Sequence, residues 1–275
     1  MRVLCYNTCA LPGLSGDIGE RLRRACAAIV AMKPDLILLQ EVFLRRHLRL
    51  LSSHLSDWPH RFSGRRSVMR FCGGLAVFSR FPILSAAFAP FREQGSWLRF
   101  SALARLSKKG AMTLLIEGPR HRAIQLLLTH LVADYRRPGR HAADRRADPY
   151  SRFQAGQMSE LAGRILGLDA QAPLLVCGDL NLLPDSPLLL DLMARTGLRD
   201  SMAGRRSASM IGRPFYRVPF DPTPCKRLDY VLFKPGEAGW PSKAKARYAL
   251  REPARLLSRR VTTLSDHYGL LVELR

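Results

Sequence analysis

Gly178-Asp179-Leu180-Asn181, Arg227-Leu228-Asp229-Tyr230 and Ser265-Asp266-His267-Tyr268 place three carboxylates, an amide and an imidazole in short motifs of the second half of the chain. Asn7 after Tyr6, Glu41 after Gln40 and His130 after Thr129 add a second amide, a fourth carboxylate and a second imidazole. Carboxylate and amide oxygens are hard donors that suit a divalent cation such as magnesium. Amide N–H groups suit phosphoryl oxygens, and imidazole moves protons near neutral pH. Hydrolysis of a phosphate ester needs this inventory: a positioned water, neutralised charge at the phosphorus oxygens and help for the leaving oxygen.

Such groups act together only if the fold gathers them. Several follow apolar runs: Val3-Leu4-Cys5, then 36–39, 124–128 and 174–177. An apolar run that stops at a polar residue reads as a buried strand delivering that side chain to the rim of a sheet. Asp179 and Asn181 are two apart and face the same way on an extended segment, so one can orient a water while the other contacts phosphate. Each piece alone is weak, because a strand-end Asp is a common helix N-cap and Gly-Asp-Leu-Asn is a plausible turn. Other phosphate and acyl chemistries lack their motifs: there is no Gly-x-x-x-x-Gly-Lys-Ser/Thr loop, no Gly-x-Ser-x-Gly elbow and no His-Glu-x-x-His.

The remaining periodicities supply the scaffold. Residues 19–32 carry apolar side chains at 22, 25, 26, 29 and 30, the spacing of an amphipathic helix that Pro34 closes. A second helix is predicted at 43–55 and a third at 151–168. A fourth starts at Pro187, with Ser186 as N-cap, and stops at Gly197. Strands are predicted at 74–79, 83–87, 98–106, 112–117, 122–129, 228–233 and 269–274, and an ordered loop at 201–226. Strands in both halves, each half with its own helices, suggest two packed sheets with helices outside.

The chain has 275 residues, 47% of them hydrophobic. Candidate site segments run from residue 7 to residue 267, so splitting the chain would split the site, and a single domain over 1–275 is expected. No run of about 18 apolar residues predicts a transmembrane helix, and Met1-Arg2 leads straight into the first strand with no secretory leader. Six cysteines (5, 9, 26, 72, 177, 225) without a Cys-x-x-Cys pair suggest buried thiols in a reducing, cytoplasmic setting. A formal charge of +22 attracts polyanions, although only seven of the 44 basic residues are lysine, a bias that a GC-rich genome also produces. The densest basic stretch, 136–146, follows His130 closely, which makes Arg136, Arg137 and Arg140 candidate substrate-binding residues. Phe88, Phe91, Trp97 and Phe100 read first as core, with an exposed lipid-inserting or base-stacking loop as the alternative.

Taken in this order, the motifs resemble the endonuclease/exonuclease/phosphatase superfamily: metal-dependent phosphodiesterases related to DNase I, AP endonucleases, inositol polyphosphate 5-phosphatases and neutral sphingomyelinases. The resemblance covers residues 3–274. It implies an α/β fold, a four-layer α/β/β/α sandwich of two mixed sheets flanked by helices. It also implies Mg2+, with Mn2+ as an alternative, held by Asn7, Glu41 and Asp266. Asp179 would orient the attacking water, Asn181 contact the phosphate, Asp229 fix the His267 tautomer, and His130 contact the phosphate or its leaving group. Ala10-Leu11-Pro12 after Asn7, Gln40-Glu41-Val42, the segment from Gly74 to Ile83, Thr129 to Tyr135, and Ser265 to Gly269 resemble the neutral sphingomyelinase branch in particular. The segment after Asn7 lacks the Asn-Gly continuation usual in AP endonucleases. The expectation is a metal-dependent phosphodiesterase acting on a phospholipid headgroup, with peripheral contact to an anionic membrane. One alternative is a nuclease of the same fold acting on nucleic acid. The other is an inactive polyanion-binding module, against which the intact site residues argue.

Overall fold

Apolar runs of five or six residues are too short for independent helices, and as strands they need cover on both faces. The computed structural model describes residues 1–13, 16–63, 73–94, 108–133, 149–205, 207–213, 221–259 and 261–275, and builds two sheets from such runs. The first contains β1 (Arg2–Asn7), β2 (Leu36–Gln40), β3 (His60–Phe62), β4 (Ala76–Ser79), β13 (Ala244–Ala249) and β16 (Gly269–Leu274). The second contains β5 (Ile83–Pro90), β6 (Gly110–Glu117), β7 (Ala123–His130), β8 (Leu174–Asp179), β9 (Arg199–Asp200) and β12 (Asp229–Lys234). Their spatial orders are β13-β16-β1-β2-β4-β3 and β5-β6-β7-β8-β12-β9. Both sheets are mixed: β1 runs parallel to β2 and β7 parallel to β8, while the other neighbours are antiparallel.

Side-chain alternation sorts the strands into layers. Val3, Cys5, Leu36, Leu38 and Val77 of the first sheet pack against Leu114, Leu126, Leu128, Leu175, Cys177 and Val231 of the second, forming the central core. The opposite parity of the first sheet, with Leu4, Tyr6, Ile37 and Leu39, packs on α1 (Ile18–Met32) and α2 (Arg45–His54). The outer face of the second sheet, with Leu127, Val176 and Leu232, packs on α3 (Pro149–Leu166) and α4 (Pro187–Thr196). The order of layers is therefore helix, sheet, sheet, helix.

Helix ends follow local chemistry. Lys33, left-handed just before Pro34, stops α1, and Gly197 at φ 71° stops α4 with its N–H on the Met193 carbonyl. Ser186 occupies the expected N-cap position but makes no side-chain cap bond. The predicted loop at 201–226 proves instead to contain a hairpin, β10 (Met210–Arg213) against β11 (Asp221–Lys226). Pro222 and Pro224 hide it from periodicity analysis, since prolines cannot supply ladder donors and mark edge strands. A second small pair joins β14 (Ala254–Arg255) to β15 (Val261–Thr262). Phe91 is buried against α3 and Phe88 packs at the edge of the central core, as the core reading expects. Trp97, Phe100 and the predicted strand at 98–106 lie outside the described residues.

Candidate active site

Strand register lines up three of the expected side chains. His130 sits opposite Asp179 across β7 and β8, and Asp179 opposite Asp229 across β8 and β12. Each continues the parity of its strand's inward-facing apolar residues (Leu128, Cys177, Val231), so all three reach the end of the inter-sheet space. Asn7 does the same at the end of β1, in the parity of Val3 and Cys5. Asp266 and His267 arrive immediately before β16, and Glu41 immediately after β2. Gly178 permits this assembly: at its φ of 140° an added Cβ would lie 1.8 Å from the Thr129 carbonyl oxygen, inside the β7–β8 pair. Glu41 and Asn181 adopt φ of 64° and 50°, left-handed conformations unfavourable for non-glycine residues and frequent at functional sites.

One oxygen is the centre of the cluster. Asp179 Oδ2 accepts a 3.0 Å hydrogen bond from Asn7 Nδ2 and lies 3.5 Å from His130 Nε2 and 3.7 Å from His267 Nε2. Its other oxygen accepts from the backbone N–H of Asn181 at 3.0 Å. Asp229 Oδ2 meets His267 Nδ1 at 2.7 Å. His130 Nε2 also lies 4.0 Å from Glu41 Oε1. Asn181 Nδ2 donates to the Leu131 carbonyl at 3.0 Å, which fixes the amide plane and leaves a second N–H for another acceptor. Asp179, Asp229, His130 and His267 are almost wholly buried, whereas Glu41 keeps 14% of its side-chain surface exposed at the rim.

The electrostatics show where positive charge is missing. Burial, and then the like charge of Asp266, push the Glu41 carboxyl up to about 7. Burial chiefly raises Asp179 to about 6. Burial opposes charge on His267, yet Asp229 and Asp179 outweigh it and hold the imidazole well above its ordinary range. Burial, aided by Lys109 and His267, holds His130 well below that range. Lys109, just before β6, is a buried residue whose ammonium is brought down to about 8 by desolvation while Glu41 and Asp179 pull the other way. Sequence reasoning missed it, because Lys108-Lys109-Gly110 reads as a solvated turn; a glycine opening the strand beside it is the only local signal.

Among the described residues, the ligand atoms of Asp179, Asp229 and His267 all lie within 4.8 Å of one another. In that trio Asp229 holds His267 by Nδ1, and the imidazole sets its positive charge beside both carboxylates, so this part of the cluster already has a cation. Glu41 and Asp266 form the contrasting pair: neighbouring carboxylates, with the Asn7 amide attached to the same cluster and the positive charge of Lys109, then of His267, acting on Glu41. Their hard oxygen donors fit a divalent magnesium-type ion.

A buried arginine fixes the two loops that carry these groups. Arg21 of α1 donates to the carbonyls of Thr8 (3.2 Å), Cys9 (2.9 Å), Leu264 (2.7 Å) and Gly16 (3.0 Å). Ser265 Oγ adds a 2.7 Å bond to the Asn7 carbonyl, and Ser209 Oγ accepts from the N–H groups of Leu228 and Asp229 at 3.0 and 3.2 Å. The structure thus gathers His130, Asp179, Asn181, Asp229, His267, Asn7, Glu41 and Asp266 at one end of the sandwich. Arg136, Arg137 and Arg140 lie outside the described residues.

Residues 6–267 match the family described as Endonuclease/Exonuclease/phosphatase family. Sphingomyelin phosphodiesterase 2 from Homo sapiens is 27% identical over 294 residues, an alignment covering 100% of this chain and 64% of that protein. The chain thus spans somewhat less than two thirds of the length of that relative. The crystal structure of sphingomyelinase C from Streptomyces griseocarneus superposes with a TM-score of 0.71 at 22% identity, covering 100% of this chain and 99% of that one. A Staphylococcus aureus beta toxin variant with bound magnesium ions superposes with a TM-score of 0.76 at 16% identity, covering 100% and 99%.

Proposed function

The chain belongs to the endonuclease/exonuclease/phosphatase family, and we propose that it is a magnesium-dependent phosphodiesterase of the neutral sphingomyelinase-like branch, cleaving a phospholipid headgroup. The observation that carries this is the convergence of Asn7, His130 and His267 on Asp179 Oδ2, with Glu41 and Asp266 beside it. The sphingomyelinase relatives favour a lipid substrate, and the magnesium in the beta toxin structure favours that ion. The whole of 1–275 acts as one catalytic domain in this reading, since both halves of the chain supply the cluster.

Glu41 and Asp266, with Asn7, would hold the metal ion, which supplies charge neutralisation at the phosphoryl oxygens. Asp179 orients the attacking water through the oxygen on which the donors converge. Asp229 holds His267 by Nδ1, which presents Nε2 toward the reacting phosphate. His130 offers its Nε2 to the phosphate or its leaving oxygen, and the spare N–H of Asn181 binds a phosphoryl oxygen. Lys109 adds a fixed positive charge to a buried site, where such a charge acts strongly on a phosphate in transfer.

The test is hydrolysis of sphingomyelin, a phosphoinositide, plasmid DNA and abasic DNA in EDTA, then in magnesium or manganese. Metal-dependent cleavage of a phospholipid is expected. Preferential cleavage of DNA would transfer the assignment to a nuclease, the reading that the +22 charge favours. Full activity in EDTA would remove the metal mechanism.

A further inference from the structure

An open pocket of about 930 Å³ lies at the base of the β10–β11 hairpin, outside the catalytic cluster. Its lining carries four cations, Arg205, Lys226, Arg227 and Arg251, against one carboxylate, Asp185. Two of its lining residues lie close to site residues along the chain. Asp185 stands four residues beyond Asn181, and Arg227 two before Asp229.

Three of these side chains show how the pocket is built. Arg205 is oriented by its bond to the Ala246 carbonyl at 2.8 Å, and Arg251 by the Tyr268 ring at 5.4 Å. Arg227 is 6% exposed, with Nη2 on Asp200 Oδ2 at 2.6 Å and its guanidinium over the Tyr230 ring at 4.9 Å. Its Nε and Nη1 have no hydrogen-bond partner. Both atoms are sealed from solvent, so Arg227 adds positive charge from behind the wall, while the exposed Lys226 and Arg251 are within reach of phosphate oxygens. Tyr248 adds a hydroxyl to the same wall. A quaternary ammonium is bound by aromatic faces and carboxylates, and would meet like charge here.

We infer that this pocket is an anion subsite beside the catalytic cluster, taking a phosphate-type group. That group comes either from the substrate's own headgroup, as a second phosphate beyond the scissile one, or from a separate anion. Anion binding stands independently; the headgroup role rests on the phosphodiesterase reading.

The probe is inorganic phosphate, titrated calorimetrically into the full chain in EDTA and compared with the double variant Lys226→Gln/Arg251→Gln. Both residues are exposed and outside the catalytic cluster. Loss of two charge-assisted contacts should weaken phosphate binding about tenfold with an unchanged thermal midpoint. Equal affinity in both proteins, as phosphate held only near Lys109 would give, overturns the subsite. The second arm compares p-nitrophenyl phosphodiesters of glycerol and of glycerol phosphate. A fall of about tenfold in kcat/KM confined to the phosphate-bearing diester assigns the anion to the headgroup. No change for either diester, with phosphate affinity still reduced, overturns the headgroup role and assigns the pocket to a separate anion. Turnover of neither diester, nor of any substrate in the panel above, by the parent would remove the phosphodiesterase reading and leave the phosphate titration as an independent test.

Discussion

Asp229 and His267 share a 2.7 Å hydrogen bond, so each orients the other. Asp229→Ala and His267→Ala are each expected to lower turnover by on the order of 10²–10⁴, and the double variant to fall no more than a few-fold further, because residues acting as a unit are non-additive. Multiplicative losses in steady-state kinetics would separate them. Glu41→Gln tests the metal ligand. It should abolish magnesium binding by calorimetry while the variant in EDTA melts no lower than the parent, since the change removes a charge crowded by Asp266. Normal magnesium binding in this variant would shift the site to other ligands. Most of the candidate cluster was legible in sequence because each side chain ends or adjoins a buried apolar run. Lys109 was not. Its burial exists only after β6 pairs with β5 and β7, and no local pattern distinguishes it from its neighbour Lys108.

Elements place these residues, and α1 does so through one side chain. Arg21 fastens the carbonyls that follow Asn7 and one that precedes Asp266. Arg21→Met leaves several buried carbonyls unsatisfied and should cost about 3 kcal/mol by urea denaturation. Arg21→Lys keeps the charge and loses the fork, so magnesium affinity should weaken by about 10–100-fold with the fold retained. Unchanged affinity in a folded Arg21→Lys protein would make the arginine purely structural. Elements with strong periodicity, such as α1 and β16, were readable from sequence to within a residue. The β10–β11 hairpin was not, since the Asp-Pro-Thr-Pro run at the start of β11 gives no strand alternation. Short edge strands such as β3 and β9 depend on their neighbours and leave little local trace.

At the scale of the whole molecule, stability should respond to acid through His47 of α2, which is not one of the cluster's residues. Burial, with Arg46 and Arg21 nearby, lowers His47 to about 4, against an ordinary 6.5. Above pH 6.5 both folded and unfolded chains are neutral there. Between 6.5 and 4 only the unfolded chain gains the proton, so the folded state loses up to about 3 kcal/mol as pH falls, and the loss levels off below 4. His47→Gln should flatten that part of the stability–pH curve; parallel curves for the two proteins would refute the assignment. The layered architecture was legible because strands in both halves demand covering helices, whereas the use of the +22 charge was not, because net charge carries no position. Asp179 Oδ2 has a further consequence at this scale. It belongs to the second sheet, yet it meets Asn7 and His267 of the first sheet's end, so the atom proposed to orient the water also fastens the sandwich. A descendant of this protein drifting toward inactivity is therefore expected to lose Glu41, at the open rim, long before Asp179, whose replacement would slacken the body that carries it.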